Sequence, residues 1–137
     1  MTQILLVDDD PFIRKFGDAL LAMPGRSILT AATGAEALAH LSKPPPNLIL
    51  LDVGLPDVSG LEVLRIFRAT PSWQAVRILM LTGSHEMEDL VHAKRAGASG
   101  YICKPVQPDI LASMVEDILE QHDLIWLDDY TRARRAP

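Results

Sequence analysis

Five short, mostly apolar runs are spaced along the chain, and turn-forming or charged residues bound each of them. They lie at 4–7, 27–32, 48–51, 76–81 and 100–103. Apolar runs of this length predict strands that are buried on both faces of a parallel sheet. The segments between the runs carry apolar residues at helical spacing. This alternation predicts an α/β fold, with a five-stranded parallel sheet, right-handed crossovers and helices on both faces.

Capping patterns indicate where the helices begin. Asp10 before Pro11 places a carboxylate at the N-cap and a proline at the first helical position. Thr33 and Glu36 form a capping-box pattern for a short helix that reaches Leu41. Three more helices are predicted: after Gly60, over 86–96 and from 108 to at least 120. Asp10 therefore has a structural role, whereas the two acids that precede it have none that local structure requires.

The composition is that of one ordinary globular domain. The chain has 137 residues, of which 48% are hydrophobic, and a net charge of −5. The acidic balance argues against direct binding to nucleic acid, and the single cysteine, Cys103, excludes an internal disulfide. No apolar run approaches the ~20 residues that a transmembrane helix needs, so we expect no membrane contact and a cytoplasmic location.

Chemically active side chains follow the predicted strands at the points where those strands end. Asp8 and Asp9 follow the first strand, Asp52 follows the third, Thr82 the fourth and Lys104 the fifth. The carboxyl ends of parallel strands meet at one sheet edge, where ligands bind in open α/β sheets. Three carboxylates there would repel one another unless a cation such as Mg²⁺ lies among them. A lysine and a hydroxyl at the same edge indicate phosphoryl transfer onto a carboxylate.

At these positions the chain resembles the receiver domain of two-component response regulators. The resemblance is carried by four ordered motifs, at 4–11, 51–60, 80–83 and 101–105, and it covers about residues 3–121. It implies a flavodoxin-like fold with strand order 2-1-3-4-5.

The resemblance also implies a metal site and a phosphoacceptor. Asp52 would accept the phosphoryl group. Mg²⁺ would be bound by Asp8, Asp9, Asp52 and the main-chain oxygen of Gly54. Asp57 is expected to cap the loop that follows the site.

Further roles carried over from the family concern the phosphoryl group and the response to it. Lys104 and Gly83 would contact the phosphoryl group, and Gly83 would leave the acceptor accessible because it has no side chain. The hydroxyl of Thr82 and the ring of Tyr101 would move on activation. The Lys104–Pro105 peptide bond is expected to be cis.

The resemblance favours a phosphoacceptor switch that receives its phosphoryl group from a histidine kinase or a phosphotransfer protein, and that is not itself an enzyme. Its partners would be a downstream protein or its own output domain, with a homodimer also considered. One alternative is a receiver excised from a larger regulator or hybrid kinase. Another is a phosphohydrolase of the haloacid-dehalogenase kind, but that family has a second Asp where this chain has Gly54.

The end of the chain departs from a minimal receiver. We expect a receiver domain over 1–123 and a C-terminal extension or linker stub over 124–137, which is too short to form an output domain. Trp126 lies there in an apolar run, after the core should be closed. Two interpretations stay open: a tail in which Trp126 folds back on the domain, or a segment that binds a partner.

Overall fold

A six-stranded parallel sheet lies at the centre of the protein. The structure is a computed structural model, in which residues 1–83, 87–120 and 126–128 are described. The strand order is β2-β1-β3-β4-β5-β6. The strands are β1 Thr2–Val7, β2 Arg26–Ala31, β3 Leu48–Asp52, β4 Arg77–Thr82, β5 Gly100–Cys103 and β6 Leu127–Asp128. The first five strands follow the predicted order, but the prediction of a five-stranded sheet was wrong, because a sixth strand pairs with β5.

Five helices connect the strands: α1 Pro11–Leu21, α2 Gly34–Leu38, α3 Gly60–Ala69, α4 Met87–Arg95 and α5 Pro108–Glu120. The predicted caps are present, since Asp10 accepts from the Phe12 N–H and Thr33 accepts from the Glu36 N–H. α2 ends earlier than expected, because the chain continues from Ala39 to Ser42 as a 3₁₀ helix. None of the helices in the described part of the chain is long and apolar enough to cross a membrane.

Both faces of the sheet are covered, as the sequence predicts. Side chains of β3 alternate between two cores, with Ile49 and Leu51 in one and Leu48 and Leu50 in the other. The first core takes in residues of α2, α3 and α4, and the second takes in residues of α1 and α5. All four of these β3 side chains are fully buried. Each contributes about 1.5–3 kcal/mol by its removal from water.

The strand order reverses between β1 and β3. β1 pairs with β2 on one side and with β3 on the other, and Val7 lies opposite Leu51. The residues that follow these two strands therefore emerge side by side at the carboxyl edge of the sheet. In open α/β sheets this switch point is the usual place for a ligand.

β6 is the last strand on one side of the sheet, where it pairs with β5. The Leu127 N–H donates to the Ser99 carbonyl at 3.0 Å, and the Leu127 side chain is buried in the core on the α1 and α5 side. Trp126 packs against the opposite core, where Lys94 Nζ lies 5.4 Å from its ring centre. Its indole N–H donates to Asp128 Oδ2 at 2.7 Å.

Of the two interpretations of the C-terminal segment, the structure supports the one in which Trp126 folds back on the domain. The sheet thus takes in two residues of the segment that was assigned to an extension. The boundary at residue 123 stays a prediction, and 121–125 and 129–137 lie outside the described residues.

Candidate functional site

Three carboxylates meet at the switch point of the sheet. Asp8 and Asp9 follow β1 directly, and Asp52 is the last residue of β3. One oxygen from each lies within 4.8 Å of the other two. Asp8 and Asp52 are 0% and 4% exposed, whereas Asp9 is exposed. The cluster is therefore buried at its base and open to solvent on the side of Asp9.

Main-chain and side-chain donors fix Asp8 in place. Its Oδ1 accepts from the Asp10 N–H at 3.0 Å, and its carbonyl oxygen accepts from Arg14 Nη1 at 2.8 Å. Its Oδ2 is buried and has no aligned hydrogen bond within the described part of the chain. Three carboxylates that each offer an oxygen to one small space form a donor set that fits a hard divalent cation such as Mg²⁺.

Lys104 supplies the one cation that these carboxylates share among the described residues. Its Nζ lies 2.9 Å from Asp8 Oδ2 and 3.2 Å from Asp52 Oδ1. The contact with Asp8 is a short ion pair with a fully buried carboxylate. Lys104 follows β5 directly, and its main-chain N–H donates to the carbonyl of Thr82 at 2.6 Å. The Lys104–Pro105 bond is cis, which confirms the expectation.

The site perturbs the acid–base behaviour of two of its groups. Burial raises the pKa of Asp52, and the charge of Asp8 raises it further. The Gly54 N–H, which donates to Asp52 Oδ1 at 3.2 Å, and the Lys104 ammonium act in the opposite direction but do not cancel that rise. Burial alone would lower the pKa of Lys104, but the contacts with Asp8 and Asp52 outweigh burial and raise it. The lysine is therefore charged at neutral pH.

The remaining predicted residues lie at this edge or next to it. Thr82 ends β4 opposite Cys103 and is 4% exposed, and Gly83 follows it at the surface. A Cβ on Gly83 would meet nothing within 4 Å among residues 1–83, 87–120 and 126–128, as an open approach to the site requires. Tyr101 is 2% exposed and lies in the core on the α2–α4 side. Its predicted movement, like that of Thr82, stays a prediction.

Two supporting residues, and one contact of a third, were not predicted from the sequence. Arg14 contacts the carbonyl of Asp8, and no local pattern indicates that contact. A Cβ on Gly60 would collide with the carbonyl oxygen of Asp52, so only glycine lets α3 begin against the end of β3. Asp57 does cap its loop through the Val58 N–H, as expected, but it also accepts hydrogen bonds from the first turn of α2.

Comparison with known proteins decides the family. The model of the response regulator receiver domain family matches residues 4–116. The chain belongs to this family. The receiver domain is 35% identical to a CheY-like receiver from Methanospirillum hungatei, with a TM-score of 0.79 over 88% of this chain and 94% of the other. It is 33% identical to the chemotaxis response regulator CheY4 of Vibrio cholerae, with a TM-score of 0.80 over 86% and 98%.

Curated relatives are longer than this receiver domain. It is 38% identical to the transcriptional regulatory protein KdpE of Mycobacterium tuberculosis, over 80% of this chain and 47% of that protein. The chain spans about half the length of the curated relatives it matches.

Proposed function

We propose that Asp52 accepts a phosphoryl group, in the presence of Mg²⁺, from a histidine kinase or a phosphotransfer protein, and that this changes which protein the receiver binds. One observation carries the proposal: three carboxylates lie within 4.8 Å of one another, and a charged lysine reaches two of them. Such a cluster has a nucleophile, a ligand set for a divalent cation and a fixed positive charge for phosphoryl oxygens.

The proposed reaction is a displacement at phosphorus. A carboxylate oxygen of Asp52 attacks the phosphorus of a phosphohistidine and forms the new P–O bond. The P–N bond breaks, and its electron pair returns to the imidazole nitrogen. The imidazole leaves in the neutral form if its other ring nitrogen already carries a proton; otherwise it leaves as imidazolate and takes up a proton from solvent. The product on the receiver is an aspartyl phosphate. The Gly54 N–H and Lys104 hold the Asp52 carboxylate in position and stabilise its charged form.

The rest of the site stabilises charge on the phosphoryl group. When bound, Mg²⁺ would neutralise negative charge on the phosphoryl oxygens. We assign its binding to the carboxylates of Asp8, Asp9 and Asp52 and to the main-chain oxygen of Gly54. Lys104, now paired with two carboxylates, would contact a phosphoryl oxygen instead, and Gly83 leaves room for the group. Catalysis of this kind rests on position and electrostatics, and we do not assign the domain turnover of any other substrate.

The phosphodonor protein needs a surface beside the site. A cavity of about 430 Å³ lies next to Lys104. Most of its lining side chains are apolar, and they come from α1 and from the segment after β5. Phe12 lines it, is 71% exposed and stacks on Phe16 with ring centres 6.2 Å apart. We assign this cavity to the protein that carries the phosphohistidine, because Lys104 lines both the cavity and the acceptor site. The lining residues are Asp10, Phe12, Ile13, Phe16, Lys104, Pro105 and Val106.

The output of the switch is a change in protein contacts. Phosphorylation shifts an equilibrium only through contacts that differ between the two states. We assign these state-dependent contacts to Thr82, whose strand ends at the site, and to Tyr101 in the neighbouring β5. Relatives such as KdpE are named as transcriptional regulators, and we propose that any effect on DNA passes through an output domain or a partner protein. The receiver itself is not proposed to bind nucleic acid; a homodimer is a further candidate output.

The test is phosphoryl incorporation, measured by intact-protein mass, with a histidine-kinase donor and separately with acetyl phosphate. The parent should gain one phosphoryl group in Mg²⁺ and none in EDTA. Asp52→Asn keeps the shape but removes the nucleophilic oxygen, so it should gain none. Asp18→Asn, an exposed carboxylate on α1, is the matched control and should behave as the parent does. Incorporation by Asp52→Asn equal to that of the parent would refute the assignment.

A further inference from the structure

The loop between β3 and α3, residues 53–59, carries part of the proposed metal site. Its Gly54 N–H donates to Asp52 Oδ1, and its Gly54 carbonyl is assigned to the cation. Both ends of the loop are held by main-chain hydrogen bonds: Val53 N–H donates to Leu81 and Gly60 N–H donates to Val53, each at 2.9 Å. The middle of the loop needs a separate anchor if Gly54 is to keep one position.

Asp57 provides a bond from the middle of the loop to another element. Its Oδ1 accepts from the Gly34 N–H at 2.8 Å, and its Oδ2 accepts from the Ala35 N–H at 2.9 Å. These two amides belong to the first turn of α2, where N–H groups have no partner inside the helix. The Gly34 N–H, followed by that of Ala35, lowers the pKa of Asp57, so its carboxylate is charged at neutral pH.

Packing at the same place supports the anchor independently. A Cβ on Gly34 would collide with Cγ1 of Val58, and it would lie 3.1 Å from Cγ2 of Val63. The loop therefore rests directly on the start of α2, and glycine is required for that approach. Val58 also packs against the core on this side of the sheet. The loop is thus fixed by a charged two-point hydrogen bond and by an apolar contact beside it.

We propose that Asp57 is a positioning residue for the phosphorylation site: it ties the 53–59 loop to α2 and thereby holds Gly54 in place for the cation and for Asp52. This inference rests on the proposed function, because it concerns the same site. Asp57 is not one of the three acids that form the possible metal cluster in the described part of the chain. It acts through the loop and touches neither the metal nor the phosphoryl group.

The proposal predicts different effects for two residues, Thr33 and Asp57, that both cap α2. Thr33 caps α2 through the Glu36 N–H at 3.0 Å and makes no bond to the loop in that role. Thr33→Ala therefore weakens α2 alone, whereas Asp57→Ala weakens α2 and also releases the loop. Asp57→Asn keeps an oxygen acceptor and loses the charge. It should therefore hold the loop to α2 more weakly than the parent but better than Asp57→Ala does.

The experiment measures Mg²⁺ binding to the full chain by calorimetry, and amide hydrogen exchange of the 53–59 segment in metal-free protein. Asp57→Ala should bind Mg²⁺ roughly 3- to 10-fold more weakly, at or just below the low end of losses seen when an outer-shell partner is removed. Its 53–59 amides should exchange faster than those of the parent. Asp57→Asn should lie between the two, and Thr33→Ala should bind Mg²⁺ as the parent does.

Three results would overturn the inference. The first is an Asp57→Ala variant whose Mg²⁺ affinity and whose amide exchange in the 53–59 segment both match those of the parent. Another is a loss in Thr33→Ala as large as that in Asp57→Ala, which would assign the effect to α2 stability. The third is a parent that binds no Mg²⁺. The third result would defeat the proposed function as well, whereas failure of the proposed function alone would look different: the parent would bind Mg²⁺ and respond to Asp57→Ala, yet Asp52 would not be phosphorylated.

Discussion

Asp52→Asn is expected to stabilise the metal-free domain against unfolding while it removes the proposed phosphoacceptor. The substitution keeps the shape of the side chain and deletes one of three clustered charges. Burial and the charge of Asp8 raise the pKa of Asp52, despite the opposing effects of Gly54 and Lys104. The folded protein therefore disfavours the charged carboxylate. Removing this charge should increase the free energy of unfolding.

The size of this gain follows from the distances at the site. Two carboxylate oxygens that lie within 4.8 Å of each other repel by at least about 3.5 kcal/mol at an effective dielectric constant near 20. The Lys104 ammonium, 3.2 Å from Asp52, attracts it by about 5 kcal/mol on the same scale. Lys104 is partly exposed and shared with Asp8, which reduces that attraction, and burial of the Asp52 charge adds a cost of several kcal/mol. The balance favours Asn by about 1–2 kcal/mol.

The assay is urea unfolding of parent and variant in EDTA at pH 7, with Asp18→Asn as the control for removal of an exposed charge. The advantage of Asn should be complete above the raised pKa of Asp52. It should shrink as the pH falls through that pKa and vanish below the ordinary value of 3.8, where both side chains are neutral. Mg²⁺ at ten times its Kd should stabilise the parent by about 1.4 kcal/mol and the variant by less. A variant that is less stable than the parent in EDTA would refute the reasoning.

Three further predictions concern residues around the site. Thr82→Ala should accept phosphate at the parent's rate but lose most phosphorylation-dependent partner binding, measured by calorimetry with the phosphorylated protein; unchanged binding would remove Thr82 from the switch. Gly54→Asn should change the rate of dephosphorylation several-fold with unfolding midpoints little altered, because no Cβ contact lies within 4 Å of Gly54 among the described residues; an unchanged rate would contradict it. Gly100→Ala places a Cβ against the Leu127 carbonyl, so it should destabilise β6 and speed amide exchange at Leu127; slow exchange there would count against a close β5–β6 contact.

The central sheet could be predicted because its strands are continuous apolar runs. β3 is buried on both faces, so Leu48 to Leu51 carry no polar interruption that would hide the pattern. β6 could not be predicted in this way, because Leu127 and Asp128 are too few to show any periodicity. Their strand depends on a tertiary condition instead, the absence of a side chain at Gly100, which lets the Leu127 carbonyl approach β5.

The same distinction holds at the site. Asp8, Asp52 and Lys104 could be predicted to meet, because parallel strands bring their carboxyl ends to one edge. The hydrogen bonds of Asp57 to Gly34 and Ala35 span 23 and 22 residues of chain, and no local pattern encodes them. A capping acid in a loop usually serves its own turn, so the sequence predicted the Val58 contact and missed the bond to α2.

The most direct test of the account is to locate the phosphoryl group. The receiver is incubated with acetyl phosphate and Mg²⁺, the acyl phosphate is reduced with borohydride to a stable derivative, and the modified residue is found by peptide mass spectrometry. The account predicts modification at Asp52, dependent on Mg²⁺ and lost in EDTA. Modification at Asp8 or Asp9 instead, or modification of Asp52 that is equal in EDTA, would contradict it.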